Sequence, residues 1–529
     1  MAALPIKQDS VGDLEAKVVA MFSTRGDAGV EATLREGEDV FMGAAHVNTT
    51  GVSEASLALR FSGTTMPQSS SSADTYMRGM LTSVVDDSIH CGNPKMIGHM
   101  TAALPNFTRP LARMVTAMNQ NCVKTETAKT ATFLEREALA MLHRQLYKRD
   151  DAFYEAEVQN PTRTLGLFTS GGTLANVSAL WIARNRRLGP KDDFKGVSKA
   201  GAMKAMLAHG YTDAVIIGSA LMHYSMNKSV DVLGLGEDSL IKIPVDEAFR
   251  VNLVAMEAKI IELQADNVLI VGLVGIAGAT ETGSVDPLDE MAVLAAKYDI
   301  HFHVDAAWGG PLIFSEVHSH KLAGIEKADT ITLDGHKQLY MPMGCGLCFM
   351  KEPELVDSIK KTANYIIRNE SFDLGKFTLE GSRGANAIFL HSNMSILGVK
   401  GYGALVDRSV RLVRYMADSI QRHPLFEVIL QPMSNILLYR HLPAQFAERD
   451  VAALTDEECE LVDETNRRLQ NEQKAIGKTF VSRTTIFSPH YKKMVVALRV
   501  VIANPLTGES DIDDVLADQV KIIGTGALN

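Results

Sequence analysis

Cysteine is scarce in this chain: five residues in 529, an odd number and widely scattered. That excludes a disulfide framework and fits a reducing compartment, so a cytoplasmic location is expected. Only Cys345 and Cys348 stand close together, as C-x-x-C. Zinc would require a second ligand pair at similar spacing and a redox pair a helix N-terminus behind the first sulfur, whereas GCGLCFM reads as a short strand. No block of lysine and arginine is present, and 53 basic against 63 acidic groups give a formal charge of -10. Nucleic-acid and membrane-surface roles therefore find no support. The longest apolar run, Val268 to Ala279, is too short to cross a bilayer, and the opening MAALPIKQDS lacks the charged and apolar regions of an export signal. What remains is ordinary globular composition, 46% hydrophobic and 22% charged, in a chain too long for one simple core.

Residues 1–119 read as a mostly helical segment, interrupted by SGTTMPQSSSSAD (62–74), whose small polar residues suit a mobile loop. From residue 120 to 385, long amphipathic segments alternate with short β-branched runs, the pattern of a mostly parallel sheet flanked by helices. The runs are AVIIG (214–218), LIKIPV (240–245), VLIVGLVGIAG (268–278), IHFHVDAA (300–307), DTITLD (329–334) and GLCFM (346–350). Helical stretches at 252–265 and 287–299 are long enough to be crossovers, the second opened by a proline suited to a first turn. In residues 386–529 the rhythm changes to a long helix (405–422), strand-like FEVILQ and NILLYR, a charged helix near 459–477, strand-like VVALRVVIA and a last helix from Asp511. Segregated helices and strands predict a smaller α+β domain.

Three segments fall at strand ends, where open α/β sheets place ligands. In FTSGGTLANVSALW (168–181) a strand runs into Ser170, Gly171, Gly172 and Thr173, then into a helix with an apolar stripe at Leu174, Val177, Leu180 and Trp181. Glycines bring backbone N–H groups close to an anion, and the helix dipole favours phosphate there; an ordinary cap by Ser170 or Thr173 is the alternative. In HVDAAWGG, Asp305 ends a buried run, where a carboxylate needs a cation or several donors; a protonated pyridine nitrogen would serve, and so would a turn that caps itself. His301 and His303 share its strand face, but with no other ligand cluster they read as packing residues, and no metal is expected. In TLDGHKQLY, Lys337 follows Asp305 by 32 residues, beside His336. A lysine at the end of an apolar strand must be desolvated or deprotonated, which suits the neutral amine of a Schiff-base lysine.

Together FTSGGTLANV, HVDAAWGG and DGHK resemble the group II pyridoxal-phosphate decarboxylases of the aspartate-aminotransferase-like fold type I, over about residues 85 to 400 and more weakly beyond. The chain as a whole is most similar to the bacterial aspartate-decarboxylating branch. The resemblance implies pyridoxal 5'-phosphate as cofactor and α-decarboxylation of a small acidic amino acid, first L-aspartate to β-alanine and CO2. Glutamate, or another lyase reaction on this fold, is the alternative. It further implies Lys337 as the Schiff-base residue, Asp305 on the pyridinium nitrogen, Gly171, Gly172 and Thr173 around the phosphate with His336, and His223 (in H-x-S-x-x-K) stacked on the ring. Ala307 would lie against the opposite ring face and Thr280 beside the cofactor. Asp334 stands where some relatives carry asparagine, which puts its phosphate contact in doubt. Tyr365, 28 residues after Lys337, takes the place of the proton donor on the family's catalytic loop. Arg383 in G-S-R and His99 are the expected substrate contacts, with His90 at the same entrance. Family members are homodimers with active sites at the interface, so residues 1–119 are expected to wrap a partner.

Overall fold

The computed structural model describes residue 19 and residues 28–47, 51–362, 370–446, 449, 453–488 and 491–525. Its centre is a seven-stranded sheet in the order β1-β7-β6-β5-β4-β2-β3. The strands are β1 (Gly166–Thr169), β2 (Asp213–Ser219), β3 (Leu240–Ile243), β4 (Val268–Ile276), β5 (Phe302–Asp305), β6 (Thr330–Asp334) and β7 (Gly346–Met350). Strands β3, β2, β4, β5 and β6 pair in parallel, and β7 runs antiparallel to both β6 and β1. The unbroken apolar run of β4 marks a central strand covered by helices on both faces, and eight of its nine residues are buried. Asn252 caps the crossover helix Leu253–Ala265 by accepting the Ala255 N–H at 3.0 Å. Pro287 stands at the cap of helix Leu288–Lys297, one position earlier than expected.

A second sheet, β10-β11-β9-β8, is antiparallel throughout: β8 (Phe426–Leu430), β9 (Ile436–His441), β10 (Ser482–Ser488) and β11 (Lys493–Val501). Helices Asp456–Ile476 and Glu509–Gly524 accompany it. The long helix is nearly twice its expected length, Ala387–Gln421, because it serves both cores. Ala387 to Val406 pack into the core of the large sheet, on either side of a break at Gly398 (φ 63°), and Leu412 to Ile420 into that of the small one. The serine-rich stretch is irregular and exposed up to Ser72, whose hydroxyl accepts from the Thr75 N–H and starts helix Ala73–Met80.

Cys345 and Cys348 are free, buried thiols just before and within β7, and burial pushes the Cys348 thiol up to about 12. Among the described residues no His, Cys, Asp and Glu side chains cluster as a metal site, and no helix is long and apolar enough to span a membrane.

Candidate active site

Parallel strands deliver their C-terminal ends to one edge of the sheet, and a cavity of 380 Å³ opens there. Its phosphate-suited end is the turn from β1 into helix Gly172–Arg187. Gly171 is extended and supplies no side-chain cap, and the first turn of this helix, Gly172 to Leu174, lines the cavity without a capping side chain on its N–H groups. The turn is pressed tightly from below. A Cβ on Gly172 would lie 2.8 Å from Asp334 Oδ2, and one on Gly346 would lie 2.2 Å from the Gly171 carbonyl carbon, so only glycine fits at either place. The helix itself buries most of its circumference, from Ala175 to Asn185, rather than the single stripe expected.

At the other end Asp305 is the last residue of β5, 8% exposed. Its carboxylate accepts from Asn176 Nδ2 at 2.9 Å and from the Ala307 N–H at 3.1 Å, and among the described residues no lysine or arginine pairs with it. A buried carboxylate with room for a cation at one end, and an uncapped helix N-terminus at the other, fit a ligand that carries a cationic ring nitrogen and a phosphate.

Lys337 lies between them. Its ammonium is not isolated, as expected of a desolvated amine, but pairs with Asp334 at 2.9 Å. Asp334 Oδ1 is buried without a partner, and His336 Nε2 stands 3.7 Å from Oδ2 while Nδ1 accepts the Cys345 N–H. The turn that carries Lys337 is pinned through its neighbour: Gln338 donates to the Trp308 carbonyl at 2.6 Å and accepts from Asn435, which itself accepts the Trp308 indole N–H. His223 faces the cavity with its ring 4.3 Å from that of Tyr224. Burial lowers its pKa, and Asp305 pulls it back up. Ala307 and Thr280 complete the wall.

Thus Gly171, Gly172, Thr173, His223, Thr280, Asp305, Ala307, His336 and Lys337 line one cavity. Three expected site residues do not. Arg383 does not line it: its guanidinium forks onto Glu135 at 2.7 and 3.1 Å with both groups buried, an internal ion pair outside the cavity. His90 is buried against the Phe41 ring instead of lining an entrance. His99 lies in a neighbouring, mainly apolar cavity of 540 Å³, its ring stacked on Phe480 at 5.3 Å. Tyr365 lies outside the described residues.

The neighbouring cavity holds what the sequence reading missed. Thr280 lines both cavities, and Arg499 of β11 donates to its carbonyl at 2.8 Å, to Gly98 O at 3.3 Å and to Ser482 Oγ at 3.1 Å. Three of the guanidinium's five N–H groups are used. An arginine inside VVALRVVIA, an otherwise apolar strand, was the available signal. Asn176 and Glu380, which accepts the Ser170 N–H at 3.1 Å, also bear on the first cavity. Asn176 is polar within a buried helix; Glu380 carries no local signal.

The model of the pyridoxal-dependent decarboxylase conserved domain matches residues 59–441. An aspartate 1-decarboxylase from Aliivibrio fischeri is 42% identical over 474 residues, covering 89% of this chain and 86% of that protein. An L-2,4-diaminobutyrate decarboxylase from Acinetobacter baumannii is 24% identical over 450 residues, 83% of this chain and 82% of its own. The crystal structure of mouse CSAD in apo form superposes with a TM-score of 0.81 at 21% identity, over 96% of this chain and 99% of that one, a likeness of fold.

Proposed function

The chain belongs to the pyridoxal-dependent decarboxylase family, and from that premise we propose that it converts L-aspartate to β-alanine and carbon dioxide. The observation that carries the acidic substrate is Arg499, a buried-strand arginine fixed at the junction of the cofactor cavity and the second cavity through the Thr280 carbonyl. A carboxylate entering that junction meets a planar donor fork, and such a charge-assisted contact is worth about 1.5–3 kcal/mol. The second cavity otherwise offers apolar walls and His99, whose pKa is lowered by burial and by Arg499. L-Glutamate is the alternative substrate, since the same fork would accept a side chain one methylene longer.

Pyridoxal phosphate, when bound, supplies an electron sink for the pair left on the substrate Cα as carbon dioxide departs. The chain supplies the rest. Lys337 would provide the amine that anchors the cofactor, and Asp334, paired with it at 2.9 Å, holds that amine in place. Asp305 would keep the ring nitrogen protonated. Gly171, Gly172 and Thr173 would hold the phosphate, with His336 beside them. His223 and Ala307 would bound the ring, the small side chain of Ala307 leaving room for the substrate. Return of a proton to Cα is assigned to Tyr365, on the family resemblance.

The assembly we propose is a homodimer in the cytoplasm. Helices Ala28–Met42, Glu54–Arg60 and Ala73–Met80 bury few residues and expose Leu34, Val40, Leu59 and Tyr76, with Phe61 exposed just past the second helix, the kind of surface a second copy would cover. A turnover panel of L-aspartate, L-glutamate, cysteine sulfinate, L-2,4-diaminobutyrate and aromatic amino acids tests the substrate. β-Alanine is expected to form fastest; faster release of carbon dioxide from a cationic or aromatic substrate would overturn the assignment.

A further inference from the structure

Behind the cofactor cavity, the two histidines of H-x-H-x-D join a buried line of hydrogen bonds that ends on Asp305. His301 Nε2 lies 2.9 Å from Thr330 Oγ1, which lies 3.0 Å from His303 Nδ1. His303 Nε2 lies 3.1 Å from Asn176 Oδ1, and Asn176 Nδ2 lies 2.9 Å from Asp305 Oδ2 and 3.0 Å from Ser225 Oγ. Every one of these side chains except Asp305 is 2% exposed or less.

Chemistry fixes the direction of the line. Turning the Asn176 amide over would set its carbonyl oxygen against the Asp305 carboxylate, acceptor against acceptor, so Nδ2 faces Asp305 and Oδ1 faces His303. The His303 nitrogen facing that oxygen must then carry the proton. Burial pushes the His303 and His301 imidazoles down to about 4, so each ring is neutral and holds a single N–H. With its proton on Nε2, His303 accepts at Nδ1 from the Thr330 hydroxyl at 3.0 Å, nearer than the Thr330 carbonyl at 3.2 Å, and that hydroxyl accepts from His301 Nε2. Four donors in series therefore point the same way, toward the carboxylate.

We infer that Asn176 and His303 are positioning residues that hold the Asp305 carboxylate aimed at the cofactor's ring nitrogen, through the donor chain His301, Thr330, His303, Asn176. The inference rests on the reading of Asp305 as partner of that nitrogen. Asn176 is the only side chain that donates to Asp305 among the described residues, the other donor being the Ala307 backbone. Without the His303 N–H on its oxygen, the amide would lose the contact that fixes its orientation. Glutamine in place of His303 carries both a donor and an acceptor and can stand in; leucine cannot.

The test compares the affinity of cofactor-free protein for pyridoxal phosphate with its affinity for the 1-deaza analogue, in which a carbon replaces the ring nitrogen. The ratio isolates the Asp305 contact, because damage to the cavity weakens both ligands alike. Wild-type protein should prefer pyridoxal phosphate, Asn176→Leu and His303→Leu should lower that preference about tenfold, the scale of one charge-assisted hydrogen bond, and His303→Gln should keep it. Thr330→Val, which removes only the hydroxyl, should lower it less and serves if the leucine variants do not fold. A wild-type preference that survives in all of the folded leucine and valine variants overturns the donor chain alone. A wild-type protein with no preference overturns the pairing of Asp305 with the ring nitrogen, and the chain with it.

Discussion

The two cavities that meet at Thr280 are built in opposite ways. The first is polar and drawn from short segments of the large domain, its groups standing just past the ends of β1, β2, β4, β5 and β6 or at the helix start that follows β1. The second is wider, lined by Val47, Ile89, Met96, Met100 and Phe480, and assembled from segments more than 370 residues apart. Charges that must sit at fixed positions lie where sheet register sets them, while the room that admits one side chain and refuses another lies where the small sheet meets the N-terminal segment. Chemistry and selectivity are thus expected to fail separately.

The sharpest way to break that separation is Lys337→Ala. Removal of the amine should lower turnover ~10⁴-fold or more, equivalent to about 5.5 kcal/mol. Cofactor should still bind at the glycine turn, with no covalent label at position 337 after borohydride treatment, as read by mass spectrometry. Turnover above a hundredth of wild type would show that the first cavity does not carry the chemistry.

Arg383→Leu probes the support of the same cavity. The arginine expected to touch substrate pairs instead with Glu135, which is 1% exposed. Stranding that carboxylate should destabilise the fold by about 3–5 kcal/mol, measured by chemical denaturation, while KM for aspartate stays put. A raised KM in a variant of unchanged stability would return Arg383 to the substrate.

Arg499→Ala moves the test to the second cavity. Here kcat/KM for aspartate should fall about 10²-fold, the equivalent of about 2.7 kcal/mol, with cofactor affinity unchanged and Arg499→Lys recovering part of the loss. An equal fall for acidic and neutral substrates would mean that the residue only holds the Thr280 carbonyl.

The same division explains what could be read from sequence. Strands β2, β4 and β7 and the residues Lys337, Asp305 and Gly172 carry local signals: apolar runs, a charged group closing each run, glycines at a turn. Antiparallel β7 looks like its parallel neighbours because burial alone makes the run apolar. Edge strand β10 was overlooked because half-buried SRTTIFS lacks that run. Arg383 was misplaced because a sequence does not show that Glu135, 248 residues away, already occupies it. Arg499 escaped for the related reason that its meaning depends on Thr280 and Gly98, neither near it in the chain.

The smallest expected effect concerns acid, and it tests whether the rear of the first cavity behaves as a region apart. Burial pushes His143, His301 and His303 down to about 4. Each is neutral in the fold while an unfolded histidine takes up a proton near pH 6.5, so stability present above that pH is lost as pH falls toward about 4. Asp286, which burial pushes up to about 7, works in the opposite sense: the fold binds a proton there that an unfolded carboxylate releases, so this one group favours the fold as pH falls through 7. The three histidines outweigh it, and the urea midpoint of cofactor-free protein should decline between pH 6.5 and 4. His143 lies away from both cavities, with Tyr154 and the Met350 carbonyl as partners. His143→Gln keeps a donor and an acceptor but removes the titration, and so should reduce the slope by one proton, about 1.4 kcal/mol per pH unit. Cofactor affinity should not move with it. His303→Gln should reduce the slope equally and still keep the preference for pyridoxal phosphate, whereas His303→Leu should reduce the slope and lose that preference. An unchanged slope in both glutamine variants would mean that these histidines do not set the acid response, and an equal loss of the pyridoxal phosphate preference in His143→Leu and His303→Leu would erase the distinction between the wall behind Asp305 and the remainder of the core.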